Sequence, residues 1–544
     1  MTPSNHAPHE VVKATHLKDN FRRGYIALLL VAIVVLSIAQ GLYTLDPHHW
    51  GLMLSNAKDL WDGRLPYQEI FIQYGLLTTL LQGFAFGLGG NLLSIISMTS
   101  LLYAIGVWIA YLIFTNVLVN KNASLYVVTG LFLFHPLAIY PWANYIAFPF
   151  LLFGIYALVI PKTTGTKFFL GGLSFGFAVL SREGLAPAVA LLILLSFIYD
   201  LFHEDSKVRK DSLVHYGLML VGLTLSLGMF FTYLYQHNLI SFWILLSYDL
   251  PKIYAQDSFQ FIGSGHIFSA VFKAVDQGWR HGEVRWIFIS IVWLLNLAVF
   301  MVSLVKIRDK TSNSTLAKLS LATLLLISSS LHLTEIFRIA TASSIGLITL
   351  YAVLEKYKKL ELWFFVMTSI WMALTLGQNR WTGTNYFLPS KKVISEARLV
   401  ESPEIFRGNR WNTEAIEYYQ FVQNTLEQLK HSSCGVRYQH NKTRDSFFKI
   451  LSPFPQLQIA PYENGESVNK LRPDLDFVTE TQKATSIVIL QMTPIVQFDS
   501  FQAPEGFAIF AHRAVPQEWQ MPENQELLIL VPRACLNGVG ATRR

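Results

Sequence analysis

Long apolar runs separated by short polar breaks constrain this chain more than any other feature of its sequence. Of its 544 residues, 52% are hydrophobic and only 15% are charged, whereas about a quarter of the residues are charged in typical soluble domains. An apolar helix of about 20 residues crosses a hydrocarbon core about 30 Å thick, and several runs reach or approach that length. The sequence therefore predicts a polytopic α-helical membrane protein.

Eleven apolar runs are predicted to span the membrane. They are 25–43, 91–118, 123–140, 144–160, 167–181, 184–201, 214–236, 285–305, 316–333, 339–354 and 361–377. The basic breaks between them, from NKN at 120 to EKYKKLE at 355, fall on one side together with the basic N-terminus, which marks that side as cytoplasmic. We therefore expect residues 1–24 to form a cytoplasmic tail and residues 25–378 to form the transmembrane domain.

The opposite, outer side receives two long loops, 44–75 and 237–283. Two short apolar segments on this side, LLTTLLQGFAFGLG at 76 and LISFWILLSY at 239, are predicted to lie at the membrane surface or to be re-entrant, because each is too short to cross. The net charge of +7 does not indicate nucleic acid as a partner, because the Lys and Arg residues lie mostly in the short breaks that orient helices.

Residues 379–544 have a mixed, more polar composition and are predicted to form a small α/β domain outside the cytoplasm. NTEAIEYYQFVQNTLEQLK at 412 has helical periodicity, and TSIVILQM at 485, GFAIFAHRA at 506 and ELLILVPRA at 526 are typical of strands. Cys434 and Cys535, the only cysteines, both lie here. We predict a disulfide between them, closing a loop of about 100 residues and worth up to ~4.7 kcal/mol, although two separate buried thiols are the alternative.

The first outer loop, LDPHHWGLMLSNAKDLWDGRLPYQEIFIQYG, carries more polar chemistry than a connector needs. Taken alone, Asp46 before Pro47 is as consistent with capping a turn or helix as with catalysis. The spacing of six residues in the loop resembles a pattern found in a known superfamily. These residues are Asp46, Gly51, Ala57, Gly63, Pro66 and Tyr67.

That pattern resembles the first outer loop of GT-C superfamily glycosyltransferases, where an Asp after the first span precedes amphipathic surface helices and a G-x-x-P-Y turn. NYIAFPFLLFGIYAL at 144, GGLSFGFAVLSREGL at 171 and HLTEIFRIATASSIGLITLY at 332 resemble later membrane segments of bacterial members. The resemblance covers roughly residues 20 to 380. It implies an enzyme of the bacterial inner membrane whose C-terminal domain is periplasmic.

Members of this superfamily transfer a sugar from a polyprenyl-phosphate donor to an acceptor outside the cytoplasm, with inversion at the anomeric carbon. The resemblance therefore implies three partners: that donor, an extracytoplasmic lipid, glycan or protein acceptor, and the lipid bilayer. It also implies Asp46 as the general base, because a positioned carboxylate can take the acceptor proton.

Cations are expected near the donor phosphate. Arg182 and Glu183, in SREG, lie at the outer end of the fifth predicted span, and His332, Glu335 and Arg338 are spaced by threes near a later outer turn. An interfacial Arg extending toward lipid headgroups is the alternative for Arg182, and a hydrogen-bonded structural pair is the alternative for His332 and Glu335.

Side chains of the first loop are predicted to contact the sugar or the acceptor: His49, Glu69, Gln73 and Tyr74. Solvation at the surface is the simpler alternative for Glu69. His48 and His49 suggest a metal, but adjacent residues do not share a face and no HxxxH or CxxC spacing supports one. Some GT-C members hold a divalent ion with paired acidic residues, whereas this loop has Asp-Pro-His-His, so we expect no cofactor.

Two other functions compete with sugar transfer. A transporter or flippase of lipid-linked sugars is expected to show paired halves or charged residues near the membrane midplane, and the spans show no such symmetry. A polymerase or ligase of whole glycans characteristically carries a large outer loop between late spans. The gathering of polar residues at one surface favours the glycosyltransferase.

Overall fold

The computed structural model describes most of the chain in ranges separated by gaps. These are residues 7–134, 142–160, 164–203, 206–252, 284–307, 314–330, 336–355, 357, 366, 370, 391–432, 435–456, 486–516 and 524–537. The described part of the chain before residue 355 is almost entirely helical. Its helices are α1 (Ala7–Tyr43), α2 (His49–Trp61), α3 (Leu76–Gly89), α4 (Leu92–Val117), α5 (Lys121–Phe134), α6 (Ala143–Val159), α7 (Gly165–Ser181), α8 (Ala186–His203), α9 (Ser206–Gln236), α10 (Ile240–Ile244), α11 (Val284–Ile307), α12 (Ser314–Ser330) and α13 (Ile336–Leu354).

Helices occupy ten of the eleven predicted spans, and the eleventh, 361–377, lies outside the described residues apart from two isolated positions. Within the described ranges, four helices are both long and apolar enough to cross a membrane: Asn20–Tyr43, Leu92–Val117, Glu183–Phe202 and Asp211–Gln236. The predicted fold class, a polytopic α-helical membrane protein with a small α/β domain, is confirmed.

The two segments predicted to lie at the surface are short helices. Helix α3 has 14 residues, which at 1.5 Å per residue gives about 21 Å, less than the hydrocarbon thickness. In the second segment, the five residues of α10 run directly into one π-helical turn, Leu245–Asp249. The rest of the predicted loop 237–283 lies outside the described residues from 253 onward.

Glycines allow α7 and α9 to approach at backbone distance. A Cβ at Gly172 would lie 1.9 Å from the carbonyl oxygen of Met219, and one at Gly222 would lie 2.1 Å from the carbonyl oxygen of Phe169. Small residues promote such close helix contacts in membranes, where apolar surface alone drives little association. The tight crossing fixes α7, whose last residue precedes Arg182.

A buried ion pair and its hydrogen bonds join three helices, α8, α9 and α12, at the end of the bundle remote from the first loop. The Nζ of Lys318 lies 2.6 Å from Oδ2 of Asp200, and this carboxylate also accepts hydrogen bonds from the hydroxyls of Tyr216 at 2.8 Å and Ser314 at 3.1 Å. At the same end, Glu355 accepts from the backbone N–H of Val119 at 2.9 Å. The two charges compensate each other, so removing either partner would leave the other charge buried and unpaired.

The C-terminal domain contains a four-stranded sheet. The described elements of this domain are α14 (Lys391–Glu396), β1 (Arg398–Leu399), β2 (Arg410–Trp411), α15 (Thr413–His431), β3 (Tyr438–Lys442), α16 (Phe447–Leu451), β4 (Ile487–Pro494), β5 (Phe507–Ala514) and β6 (Gln525–Pro532). The strand order in the four-stranded sheet is β3-β4-β6-β5. Strands β3 and β4 are parallel, and the other two neighbouring pairs are antiparallel. The helix and three strands predicted from the sequence are confirmed.

Helix α15 begins where Asn412 accepts a hydrogen bond from the N–H of Ala415 at 2.7 Å, a standard N-cap. Its buried residues recur at helical spacing, which places one face in the domain core. They are Ala415, Tyr418, Tyr419, Val422, Thr425, Leu426 and Leu429.

This domain packs directly on the first outer loop. The backbone N–H of Ser446 donates to the carbonyl oxygen of Pro47 at 3.0 Å, and the indole N–H of Trp411 donates to the carbonyl oxygen of Thr44 at 3.3 Å. A Cβ at Gly51 would lie 2.9 Å from the backbone nitrogen of Phe447. A glycine at position 51 therefore permits the contact between α2 and α16.

Candidate active site

Asp46 lies at the start of α2 with no exposed surface. Its Oδ1 accepts from the backbone N–H of His49 at 2.9 Å, and Pro47 follows it at the first position of the turn that enters the helix. A proline suits this position because it has no N–H to leave unpaired. One carboxylate oxygen therefore caps the helix, as the capping alternative predicts.

The second carboxylate oxygen is bonded to a side chain. The Oδ2 of Asp46 lies 2.9 Å from Nδ1 of His49, so the imidazole is held with Nε2 directed away from the carboxylate. The His49 side chain is 28% exposed, whereas that of Asp46 is 0% exposed. The ring is the part of this pair that solvent contacts.

Two aromatic residues enclose the pair on one side. The ring of Trp142 lies 4.7 Å from that of His49, between centroids, and 5.5 Å from that of Tyr74. Trp142 precedes α6 and Tyr74 ends the first loop, so Trp142 contacts both the start of α2 and the end of the first loop. The predicted site residues His49 and Tyr74 thus lie in one cluster with Asp46.

Glu183 forms the second polar cluster at this end of the bundle. Its Oε1 accepts from the hydroxyl of Tyr67 at 2.8 Å and from the indole N–H of Trp243 at 3.1 Å. Its backbone N–H donates to the carbonyl oxygen of Tyr74 at 2.9 Å. Glu183 therefore connects the first outer loop, the turn after α7 and the segment after α9.

Tyr67 belongs to the G-x-x-P-Y turn and adopts a left-handed backbone conformation, with φ of 64°. This conformation is costly for a residue with a Cβ and persists only where the surroundings enforce it. Here the side chain is 1% exposed and is fixed by Glu183. Burial, and next the charge of Glu183, raise the pKa of Tyr67 well above 10, so its hydroxyl remains a proton donor.

Gly75, which follows Tyr74, brings the first loop against the end of α7. A Cβ at this position would lie 2.4 Å from the carbonyl oxygen of Leu180, and the Thr78 hydroxyl donates to the carbonyl oxygen of Ser181 at 2.8 Å. The next residue, Arg182, is buried, with 8% of its surface exposed. The close contact at Gly75 therefore places Arg182 beside the first loop.

The C-terminal domain contributes a buried carboxyl group near Asp46. Asp445 accepts from the hydroxyl of Tyr419 at 2.9 Å and from the backbone N–H of Phe447 at 2.9 Å. Burial raises the pKa of Asp445 to about 7; these two hydrogen bonds oppose the rise, and the charge of Asp46 adds to it. Asp445 was not predicted as a site residue, because no local spacing in the sequence shows which residues of this domain dock on the loop.

The remaining predicted site residues fall into two groups. Some lie outside these clusters, and the side chains of the others lie outside the described part of the chain. Glu69 is exposed and its carboxylate accepts from the N–H of Leu65 at 2.7 Å, and Gln73 is exposed. Arg338 belongs to α13, whereas His332 and Glu335 lie outside the described residues. Among the described residues, no group of three or more His, Cys, Asp or Glu side chains is arranged to hold a metal ion.

The predicted disulfide stays a prediction, because Cys434 lies outside the described residues. Cys535 is buried, with 0% of its surface exposed. Mass spectrometry of the unreduced protein would detect the bond.

No protein-family model and no curated protein sequence matches the chain. Two solved structures match it along nearly its whole length, and both are of ArnT from Cupriavidus metallidurans. The apo structure has a TM-score of 0.53 at 10% sequence identity, covering 94% of this chain and 98% of that one. The structure bound to undecaprenyl phosphate has a TM-score of 0.50 at 11% identity, covering 92% and 97%. The chain therefore shares the overall fold of these ArnT structures.

Proposed function

We propose that this chain is a membrane glycosyltransferase that transfers a sugar from a polyprenyl-phosphate donor to a hydroxyl of an extracytoplasmic acceptor, with inversion. The proposal is supported by the fold shared with ArnT, one structure of which holds undecaprenyl phosphate. The observation that carries it is the contact between the buried carboxylate of Asp46 and the imidazole of His49. Trp142 and Tyr74 connect this pair to the backbone of Glu183.

In this reaction the acceptor oxygen bonds to the anomeric carbon as the bond from that carbon to the donor phosphate oxygen breaks. The acceptor proton passes to a base, and polyprenyl phosphate leaves with the electron pair of the broken bond. The site must therefore supply one base on the acceptor side and stabilise negative charge on the phosphate side.

The Asp46 and His49 pair would take the acceptor proton. Because Asp46 has no exposed surface and the imidazole is 28% exposed, the ring is the member of the pair that a hydroxyl can contact. Asp46 accepts from Nδ1 of the ring, fixes its orientation and stabilises the positive charge it gains, as an orienting carboxylate does for a catalytic histidine. In this mechanism Asp46 acts through His49. In a simpler mechanism Asp46 is itself the base, and the rates of Asp46 and His49 variants distinguish the two.

Arg182 would contact the donor phosphate. It follows α7 directly, and the contact at Gly75 holds this part of the chain beside the first loop. A guanidinium group matches phosphate oxygens in both geometry and charge. Glu183, already bonded to Tyr67 and Trp243, would hold the surrounding turn rather than contact the phosphate, because two like charges repel.

The experiment is sugar transfer by the purified full chain in nanodiscs, using radiolabelled polyprenyl-phosphate sugars and a bacterial envelope extract as acceptor. The proposal predicts a labelled product that forms together with free polyprenyl phosphate, and an inverted anomeric configuration by NMR. A transporter or flippase would move the donor between leaflets without forming either product. Movement without transfer, across a panel of donor sugars, would contradict the proposal.

A further inference from the structure

A polar pocket of about 290 Å³ lies between α2 and the segment that follows α16. One wall belongs to the first outer loop and the other to the C-terminal domain, so the pocket exists only while the two are packed together. It is lined by Ser55, Lys58, Asp59, Arg64, Lys449, Ile450, Ser452, Pro453, Phe454, Pro455 and Gln456. None of these residues takes part in the site described above.

The lining of the pocket carries an excess of positive charge. Asp59 is the sole carboxylate among the lining residues, and it pairs with both Lys449 and Arg64, the latter at 3.4 Å. One carboxylate compensates one cation, so the two cations together leave one positive charge in the pocket. Lys58 pairs with Asp62, which lies outside the lining, and both are half-exposed.

The cations are partly desolvated, which strengthens their attraction for an anion. The side chains of Lys449 and Arg64 are 15% and 36% exposed, and charge interactions are less screened there than in open water. Arg64 has five N–H donors in a planar fork, and a single carboxylate oxygen at 3.4 Å uses few of them. The remaining donors suit the oxygens of a phosphate group.

We propose that this pocket is a second binding site, which holds an anionic group, a phosphate above all, outside the hydrocarbon core. Asp59 and His49 lie ten residues apart on α2, so the pocket lies about 15 Å along the helix axis from the proposed acceptor side. A volume of 290 Å³ is at the lower end for ligand pockets, which fits a charged headgroup rather than a whole glycan. The phosphate comes either from a soluble phosphorylated compound or from a membrane lipid.

The test measures binding, so it does not depend on sugar transfer. The full chain is placed in phosphatidylcholine nanodiscs and titrated with glycerol 3-phosphate, followed by ³¹P line broadening. In a second arm, native mass spectrometry counts lipids retained from nanodiscs that contain phosphatidic acid. Binding in the first arm assigns the site to a soluble phosphate, and retention in the second assigns it to a lipid.

Three variants should change the affinity for the phosphate probes in opposite directions. Arg64→Gln and Lys449→Gln should each weaken binding about tenfold or more, because each removes a charge-assisted contact. Asp59→Asn, which removes the competing carboxylate at nearly constant size, should strengthen binding. A merely structural role for the three residues would not produce a gain in affinity from Asp59→Asn.

Arg513→Gln is the matched control, because Arg513 is also 36% exposed and pairs with Glu417 at 2.8 Å on another surface of the C-terminal domain. It should bind as the wild type does. The proposal is overturned if neither probe binds, or if Arg64→Gln and Arg513→Gln change affinity equally. Binding with the predicted signs but no sugar transfer would refute the proposed function and leave this site intact.

Discussion

Asp445 should make the C-terminal domain less stable as the pH rises toward neutrality. Its pKa is about 7 in the folded protein against 3.8 in its ordinary state. Below about pH 4 the carboxyl group is protonated in both the folded and the unfolded chain and contributes no difference. Above that pH the unfolded chain releases the proton while the folded chain retains it, so stability falls until the folded group also ionises near pH 7.

The size of the effect follows from the two pKa values. Across the whole pH range the free energy of unfolding falls by about 4 kcal/mol. About 3 kcal/mol of this loss occurs between pH 5 and pH 8, the range in which a membrane protein can be handled. Asp445→Asn removes the titration. The amide oxygen can still accept from the N–H of Phe447, and the amide N–H can donate to the Tyr419 oxygen, so the variant should fold.

The assay is thermal unfolding of the purified protein at several pH values from 5 to 8. The wild type should lose Tm as the pH rises, and Asp445→Asn should show a flatter dependence and a higher Tm at pH 8. Asp499→Asn is the control, since Asp499 is exposed in the same domain, and its curve should follow the wild type. If Tm depended on pH in the same way in Asp445→Asn and in the wild type, ionisation of Asp445 would not be the cause of the loss of stability.

Three further predictions follow from buried contacts. Lys318→Met should destabilise the bundle by about 3 to 5 kcal/mol, because it leaves the Asp200 charge buried and uncompensated. Adding Asp200→Asn should restore part of the lost Tm, and an unchanged Tm in Lys318→Met alone would show that the pair is not buried in solution. Gly75→Ala should lower the rate of sugar transfer while the protein stays folded, because its Cβ would collide with the carbonyl oxygen of Leu180; the same change at Gly184, where a Cβ meets nothing within 4 Å, should be neutral. Arg182→Ala should raise the KM for donor about tenfold or more, with partial rescue by Lys; an unchanged donor KM would leave Arg182 a structural residue.

The helices could be predicted from the sequence because span length and apolar composition are local properties. The contact between Asp46 and His49 could also be predicted from the sequence, because the N-terminus of a helix brings together side chains three residues apart. Tyr67 and Glu183 are 116 residues apart, and Trp243 and Glu183 are 60 apart. No local pattern pairs them, because their contact depends on how α7 and α9 pack.

The docking of the C-terminal domain on the first outer loop was the feature hardest to predict from the sequence. Asp445 belongs to a polar loop whose composition resembles any solvated surface, and the next residue, Ser446, bonds to Pro47 of the first outer loop. Glu69, a carboxylate in a loop rich in functional residues, accepts from the N–H of Leu65, a contact that its sequence neighbours do not show, and its contact with substrate stays a prediction. In both cases the three-dimensional neighbours decide the role of the carboxyl group.

The initial rate of sugar transfer in three variants tests whether the Asp46 and His49 pair takes the acceptor proton. Asp46→Asn retains the helix cap and His49→Gln retains an N–H donor for the carboxylate, so both should fold, and Asp499→Asn is the control. Each of the first two variants should lose about 10²- to 10⁴-fold in rate, whereas the control should match the wild type. A normal rate in His49→Gln with a slow Asp46→Asn would make Asp46 itself the base, and normal rates in both variants would show that neither residue takes the proton.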